Sequence, residues 1–397
     1  MRKLVIALLS MLFAASGSAS VWPVQNTAIW SNPAHWNTGV LPTASDAVII
    51  NTGRNLVADT NATVASLNVP NADNHSATLT ITNNITLQIT SWARIGYAAY
   101  DYATSIMNHS AGTFNAATLI VASGTDSTAT YNLSGSGILT GTTLDIGQTS
   151  DGRSVGTTVF NQSGGTVSSA TVQIAGRADV HYVMTGGQIA VTDLTVGDGT
   201  TPAESFFEIG PNAAGISIAD DFIVGPRGQV VFTLGENGEC PTIEVTDLFD
   251  VTSGSAKIFV DAALYTGGAT NIELITYGSI GTAFDRQAIM NLPSGLTGSL
   301  VYTTDSLSLN IDLDINESSI SNVIWVGDNI LSMTVAASNP EISTIKATAD
   351  LVDGTWQNAP YSTNSTGPFT TGALSNQETT VYVQATNQIS FFKVGDN

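Results

Sequence analysis

The sequence predicts an all-β fold: a right-handed parallel β-helix of about 22–28 residues per coil, followed by a small C-terminal β-sandwich-like domain. Three observations carry this. A ten-residue frame recurs, opening on Gly, with apolar residues at +2, +7 and +9 and a closing Gly or Ala at +10; its copies run Gly112 to Ala122, Gly137 to Gly147, Gly165 to Ala175, Gly187 to Gly197 and Gly215 to Gly225. With a degenerate copy from Thr86 to Gly96, the closing residues lie 26, 25, 28, 22 and 28 apart, a spacing that suits one solenoid coil. Charged residues make up only 11% against roughly 25% in ordinary soluble domains, yet 43% of the chain is hydrophobic and regularly spaced, which disordered chains lack.

Within the frame, Leu119 with Val121, Leu144 with Ile146, Val172 with Ile174 and Leu194 with Val196 are two apart. A strand places such pairs on one face, so these residues point inward and the intervening Ile120, Asp145, Gln173 and Thr195 point to water. Another strand precedes each opening Gly, as in Phe160-Asn161-Gln162-Ser163-Gly164 and Tyr182-Val183-Met184-Thr185-Gly186. Three short strands per coil stack equivalent positions about 4.8 Å apart, so about eight coils between Asp46 and residue 260 span roughly 40 Å.

Residues 1–19 read as a signal peptide. Arg2 and Lys3 precede an apolar run from Leu4 to Ala15, and the small residues Gly17 and Ala19 occupy the −3 and −1 positions of a cleavage site. A run of 12 residues is short of the roughly 20 that a membrane span needs, and no later stretch is long and apolar enough to span as a helix. Cleavage leaves 9 basic against 32 acidic residues, a net charge near −23. Nucleic acid is thereby excluded as a partner, and polyanionic polysaccharides are disfavoured unless cations bridge. Cys240 is the single cysteine, so no intramolecular disulfide forms, and a buried, inert thiol is expected.

Residues 20–50 form the expected N-terminal cap, because a solenoid's first coil exposes core and an open strand edge; Trp22, Trp30 and Trp36 are the candidates to cover them. The pattern Trp30-x5-Trp36-x2-Gly39-x2-Pro42-x3-Asp46, followed by Val48-Ile49-Ile50 and the Gly-rich frames, resembles secreted bacterial β-helix proteins with autotransporter-passenger-like or PEP-CTERM-associated repeats, over about residues 28–320. The resemblance implies the fold and an extracellular place. It implies no activity, and the chain carries neither that family's terminal Pro-Glu-Pro sorting tail nor a C-terminal membrane barrel. Residues 51–225 hold the repeats; in the copies at Thr86 and Gly215, Leu87 and Ile89, like Ile216 and Ile218, flank the +2 position, which predicts bulges or corner changes there. Residues 226–320 keep alternating strands without the frame and read as irregular coils with a closing cap. A polar break from Asn316 to Asn322 opens the small domain of residues 321–397, where Ala347 to Trp356 and Phe391-Phe392 are similar to a C-terminal module of secreted proteins from polysaccharide-degrading bacteria.

Polysaccharide lyases need a base beside a cation, and glycosidases need paired carboxylates. The solenoid's Arg54, Arg94, Arg153, Arg177, Arg227 and Lys257 form no evident cluster. Asp101, Asp126, Asp151 and Asp179 fall at +15, +14, +14 and +14 of their repeats, with Asp198 at +11. Turn capping explains such a column, and a weak Ca²⁺ site at Asp126, Asp151 and Asp179 or a catalytic acid pair are the other readings; no further cofactor is expected. His35, His75, His109 and His181 share no metal spacing and read as structural. Asn108, Asn132 and Asn161 read as an internal ladder. Tyr97, Tyr100 and Tyr102 either stack sugars or pack on a neighbouring loop. Trp356, Tyr361 and Phe369 either present aromatic faces to a glycan or fill their own small core.

The leading functional expectation is a secreted, non-enzymatic protein of the cell surface or extracellular matrix, structural or adhesive, with polysaccharide or cell-surface glycans as partners. The alternative is a carbohydrate-active protein, a glycan binder or a polysaccharide lyase or hydrolase. An outer-membrane barrel fits poorly, since barrel strands alternate over about ten residues and this frame recurs near 26.

Overall fold

Leu119 sits opposite Leu144 in a parallel ladder, Leu144 opposite Val172 and Val172 opposite Leu194. One residue pair on, Val121, Ile146, Ile174 and Val196 line up in the same way. All eight are buried. This is the predicted pair of inward columns, seen in a computed structural model that describes residues 20–50, 53–69, 76–96, 104–121, 128–147, 156–176, 178–198, 203–252 and 254–313, and beyond them only strands. The fold is a parallel β-helix of about nine turns. Its first column extends both ways, as Val48, Leu67 and Ala93 before Leu119 and as Phe222 and Phe249 after Leu194.

Each coil has three runs of strand. In one coil these are Thr104–His109 and the two halves of Thr113–Val121; the latter pairs with Ile138–Ile146 on both sides of Ala117, which has no ladder partner and marks the corner. The two degenerate copies deviate where expected. Between Ala116 and Thr118 the ladder to Thr86–Ile95 shifts register, absorbing one extra residue before Trp92. In the last copy Gly215 pairs with Gln188 instead of Gly187, and the coil breaks into Gly215–Ile218 and Phe222–Val224. A Gly opens the frame for a steric reason at Gly165: its φ is +70°, and a Cβ there would lie 2.3 Å from the Gly137 carbonyl oxygen of the coil below.

The core holds more than aliphatic columns. Tyr131, Phe160 and Tyr182 stack with centroids 4.8 and 4.6 Å apart, and Phe207 meets Tyr182 edge-on at 5.4 Å. Their polar ends are paired, since buried polar groups are costly when unpaired. The Tyr182 hydroxyl donates to Gln162 Oε1 at 2.6 Å, and Gln162 Nε2 donates to the Gln188 carbonyl at 2.9 Å. His109 is 1% exposed, with Nδ1 2.9 Å from the Tyr131 hydroxyl and Nε2 3.0 Å from the Gly112 carbonyl. A neutral ring satisfies both contacts, accepting at Nδ1 and donating at Nε2.

At the N-terminal end, Trp30 and Trp36 are buried and meet edge to face at 5.2 Å, with Trp36 Nε1 donating to the Trp30 carbonyl. Trp22 stays 43% exposed, so the cover is made by two tryptophans and not three. The 3₁₀ turn Pro33–His35 blocks part of the open edge: Ile29 N–H donates to His35 Nδ1 and Trp22 N–H to Asn37 Oδ1, each at 2.9 Å.

Past residue 225 the frame is lost while the register continues. Phe207 pairs with Val230 and Val230 with Ile258, all buried. The chain divides into two compact units, the second comprising Gly267–Asn271, Leu292–Ser299 and the chain from Asn310 onward. From Ser319 onward its described strands make two antiparallel sheets, one of Ser319–Gly327, Ile330–Ala336, Glu378–Gln384 and Tyr361–Ser362, the other of Gln357–Asn358, Ser343–Thr348 and Phe391–Asp396. Among the described residues no helix is long and apolar enough to cross a membrane.

Candidate functional site

Inward positions are committed to packing, so chemistry has to come from the outward ones, which the ladders also stack into columns. On the face built by the strand before each opening Gly, one outward column reads Val159, His181, Phe206, Gln229 and Lys257. His181 and Phe206 stack in parallel at 4.5 Å, and His181 Nδ1 lies 2.6 Å from Glu208 Oε1. The Glu208 hydrogen bond outweighs partial burial and holds the His181 ring above the usual imidazole value. Lys257 Nζ reaches Glu204 Oε1 at 2.7 Å, and Gln229 Nε2 donates to the other oxygen of the same carboxylate. The His181–Glu208 pair joins neighbouring coils, and the Lys257–Glu204 pair reaches across the intervening Gln229 coil. The cluster can pin coils together; it presents no nucleophile beside a base.

The adjoining face, built by the first half of each frame, carries much smaller side chains. Its outward column reads Asn115, Thr140, Ser168, Ala190, Ser217 and Glu244. Beside the corner it opens into two hollows of about 440 and 470 Å³ that share Ala190 and Ser217. Gly141, Ser168, Thr192 and Ala219 line the first, and Gln188, Pro241, Thr242 and Glu244 the second. Together they form one open groove across five successive coils.

A third feature is acidic. Carboxylate oxygens of Asp220, Asp221 and Asp247 all lie within 4.8 Å of one another. Partial burial, with repulsion from Asp220, Asp247 and Asp193, raises the Asp221 carboxyl above the ordinary range.

Of the residues singled out in the sequence, Asp179 is placed, exposed, with its carboxylate accepting the Glu204 N–H at 3.1 Å from the next coil. This bond joins two coils, 25 residues apart in sequence, and does not close a local turn. Asp126 and Asp151 lie outside the described residues, as do Tyr97, Tyr100, Trp356 and Phe369. Tyr361 is described only as backbone, in Tyr361–Ser362. The Asn ladder exists, Asn132 Nδ2 donating to Asn108 Oδ1 and Asn161 Nδ2 to Asn132 Oδ1, each at 2.9 Å. It runs on the outward face, because the neighbours Met107, Tyr131 and Phe160 fill the interior. Ile120, expected in water, is only 7% exposed. Cys240 is half-covered, and burial pushes its thiol up to about 12, which keeps it protonated and unreactive.

Reading the sequence missed the His181–Glu208 and Lys257–Glu204 pairs, the Asp220 cluster and the groove. Signals existed for all but the Lys257–Glu204 pair, whose partners are 53 residues apart. His181 and Glu208 are 27 residues apart, one coil; Asp193 and Asp221 share the +6 position; and Thr140, Ser168 and Ala190 share +3. Comparison with protein-family models and with curated proteins finds no match for the chain.

Proposed function

We propose that the protein is a secreted, non-enzymatic scaffold of the cell surface or extracellular matrix, structural or adhesive, which acts through a lateral surface repeated from coil to coil. One observation supports this above the others: the inward column from Val48 to Phe249 runs without a gap. Interior coils are hydrogen-bonded to a neighbour on each side, so the solenoid resists bending and holds its outward columns at a constant spacing near 4.8 Å. Such a body suits a spacer or an adhesive surface. The expected signal peptide and the resemblance of the Trp30 to Asp46 segment to secreted bacterial β-helix proteins point to the same place.

A carbohydrate-active second reading is favoured by the groove alone, and only as binding. Fractionation of producing cells tests the proposal. The protein is expected in the surface or extracellular fraction, begun near Ser20, and cells lacking it are expected to attach less. Retention inside the cell with residues 1–19 still attached would contradict it.

A further inference from the structure

The groove runs from Gly141 to Glu244. Its lining belongs to strands whose alternate residues build the core, and the neighbouring face shows that these coils accept His181, Phe206 and Lys257 at outward positions. Here the outward residues are Ser168, Ala190 and Ser217, which leaves two shallow, open hollows of about 440 and 470 Å³ side by side along the axis, with Ala190 and Ser217 common to both. Five coils make four intervals of about 4.8 Å, so the groove is roughly 19 Å long.

We propose that this groove binds a linear polysaccharide without acidic groups, laid along the solenoid axis at about one pyranose unit per coil. Repeat length favours a glycan over a peptide: an extended peptide advances about 3.3 Å per residue and falls out of step with coils spaced about 4.8 Å apart, whereas a pyranose unit in an extended chain has nearly the coil's own length. A peptide would also need free backbone groups, and the strands flooring the groove are paired with coils on either side. What the groove offers instead is hydroxyls and an amide from Ser168, Thr192, Ser217, Thr242 and Gln188, with small apolar patches between them at Ala190 and Pro241. Those groups suit the hydroxyls and C–H faces of sugars.

Charge sets the class of sugar. Glu244 lines the groove, Asp193 and Asp220 directly follow the lining residues Thr192 and Ala219, and no Lys or Arg lines it, so a uronate chain is repelled while a neutral or amino-sugar chain is accepted. The proposal deepens the scaffold reading by naming what the lateral surface meets, and rests on it only for where the meeting occurs.

The test is titration of the full chain with four linear hexamers: β-1,4-linked glucose, N-acetylglucosamine, glucosamine and galacturonate. At least one of the first three is expected to bind, its affinity rising with each unit added to a dimer and levelling once the groove is filled, and galacturonate is expected not to bind. Ala190→Trp and Ser217→Trp fill the groove from exposed positions and should each weaken binding by at least about tenfold, with melting unchanged. Thr157→Trp, exposed on the other face, should leave binding as it was. Silence with all four hexamers, preference for galacturonate, or full affinity in both groove variants would overturn the proposal. Retention of the protein inside cells would remove the scaffold reading and leave these titrations standing, whereas silent titrations would remove the groove and leave the localisation standing.

Discussion

Two histidines give the residue scale its clearest contrast. His109 is neutral in the core, and burial lowers its affinity for protons below that of a free imidazole at 6.5. The unfolded chain therefore binds the proton first as pH falls, so stability due to His109 is complete above about 6.5 and is lost as pH falls from there toward the lower folded value. His181 carries the opposite sign, because the Glu208 hydrogen bond raises it: its contribution is present below 6.5 and is lost as pH rises through the higher folded value. Urea unfolding followed from pH 5 to 8 should show His109→Gln flattening the acid limb and His181→Gln flattening the other; identical pH profiles for both variants would contradict this assignment. Buried charge has a larger effect. Ile146 is 0% exposed with Leu144 and Ile174 around it, so Ile146→Asp should lower unfolding free energy by about 4 kcal/mol or more, measured by chemical denaturation. That position was legible from the sequence, because period two assigns it a face. The environment of Ile120 was not, since its cover comes from other parts of the chain and leaves no trace in local spacing.

Strand and turn elements explain why one frame position is not one environment. Gly165 has φ +70° and touches the coil below, while Gly215 has nothing within 4 Å of an added Cβ and no left-handed backbone. Gly165→Ala should destabilise by more than about 1 kcal/mol and Gly215→Ala should change stability by less than about 0.5 kcal/mol, read from melting of the two variants. Equal effects would mean that the slipped register at Gly215 is wrong. The slip itself was readable, because Ile216 and Ile218 straddle the apolar position; the broken strand that absorbs it shows only in three dimensions. Likewise the cap was visible as a tryptophan cluster, but which rings turn inward depends on the 3₁₀ turn at Pro33–His35. Trp36→Ala should cost about 3–5 kcal/mol, and the exposed Trp22→Ala far less.

At the scale of the molecule, stacking converts residues about 25 apart into neighbours. The hydrophobic columns survive a reading of the sequence because every coil repeats them. The groove and the His181–Glu208 pair do not, because each depends on what a few particular coils place side by side. The Asp179 carboxylate is engaged by the Glu204 N–H of the next coil, so melting in EDTA and in millimolar Ca²⁺ should agree closely; a fall of tens of degrees in EDTA would support the calcium reading of the Asp column.

The in-register parallel stack underlies all of this, and engineered disulfides measure it most directly. Thr143 and Thr171 are ladder partners on the outward side, at the spacing of about 4.8 Å that a disulfide accepts between Cα atoms. In a Cys240→Ser background, Thr143→Cys with Thr171→Cys should cross-link rapidly under mild oxidation, while Thr143→Cys with Gln173→Cys, displaced two residues along the same outward strand face, should remain reduced. Cross-linking of the displaced pair, or of neither pair, would contradict the parallel β-helix register.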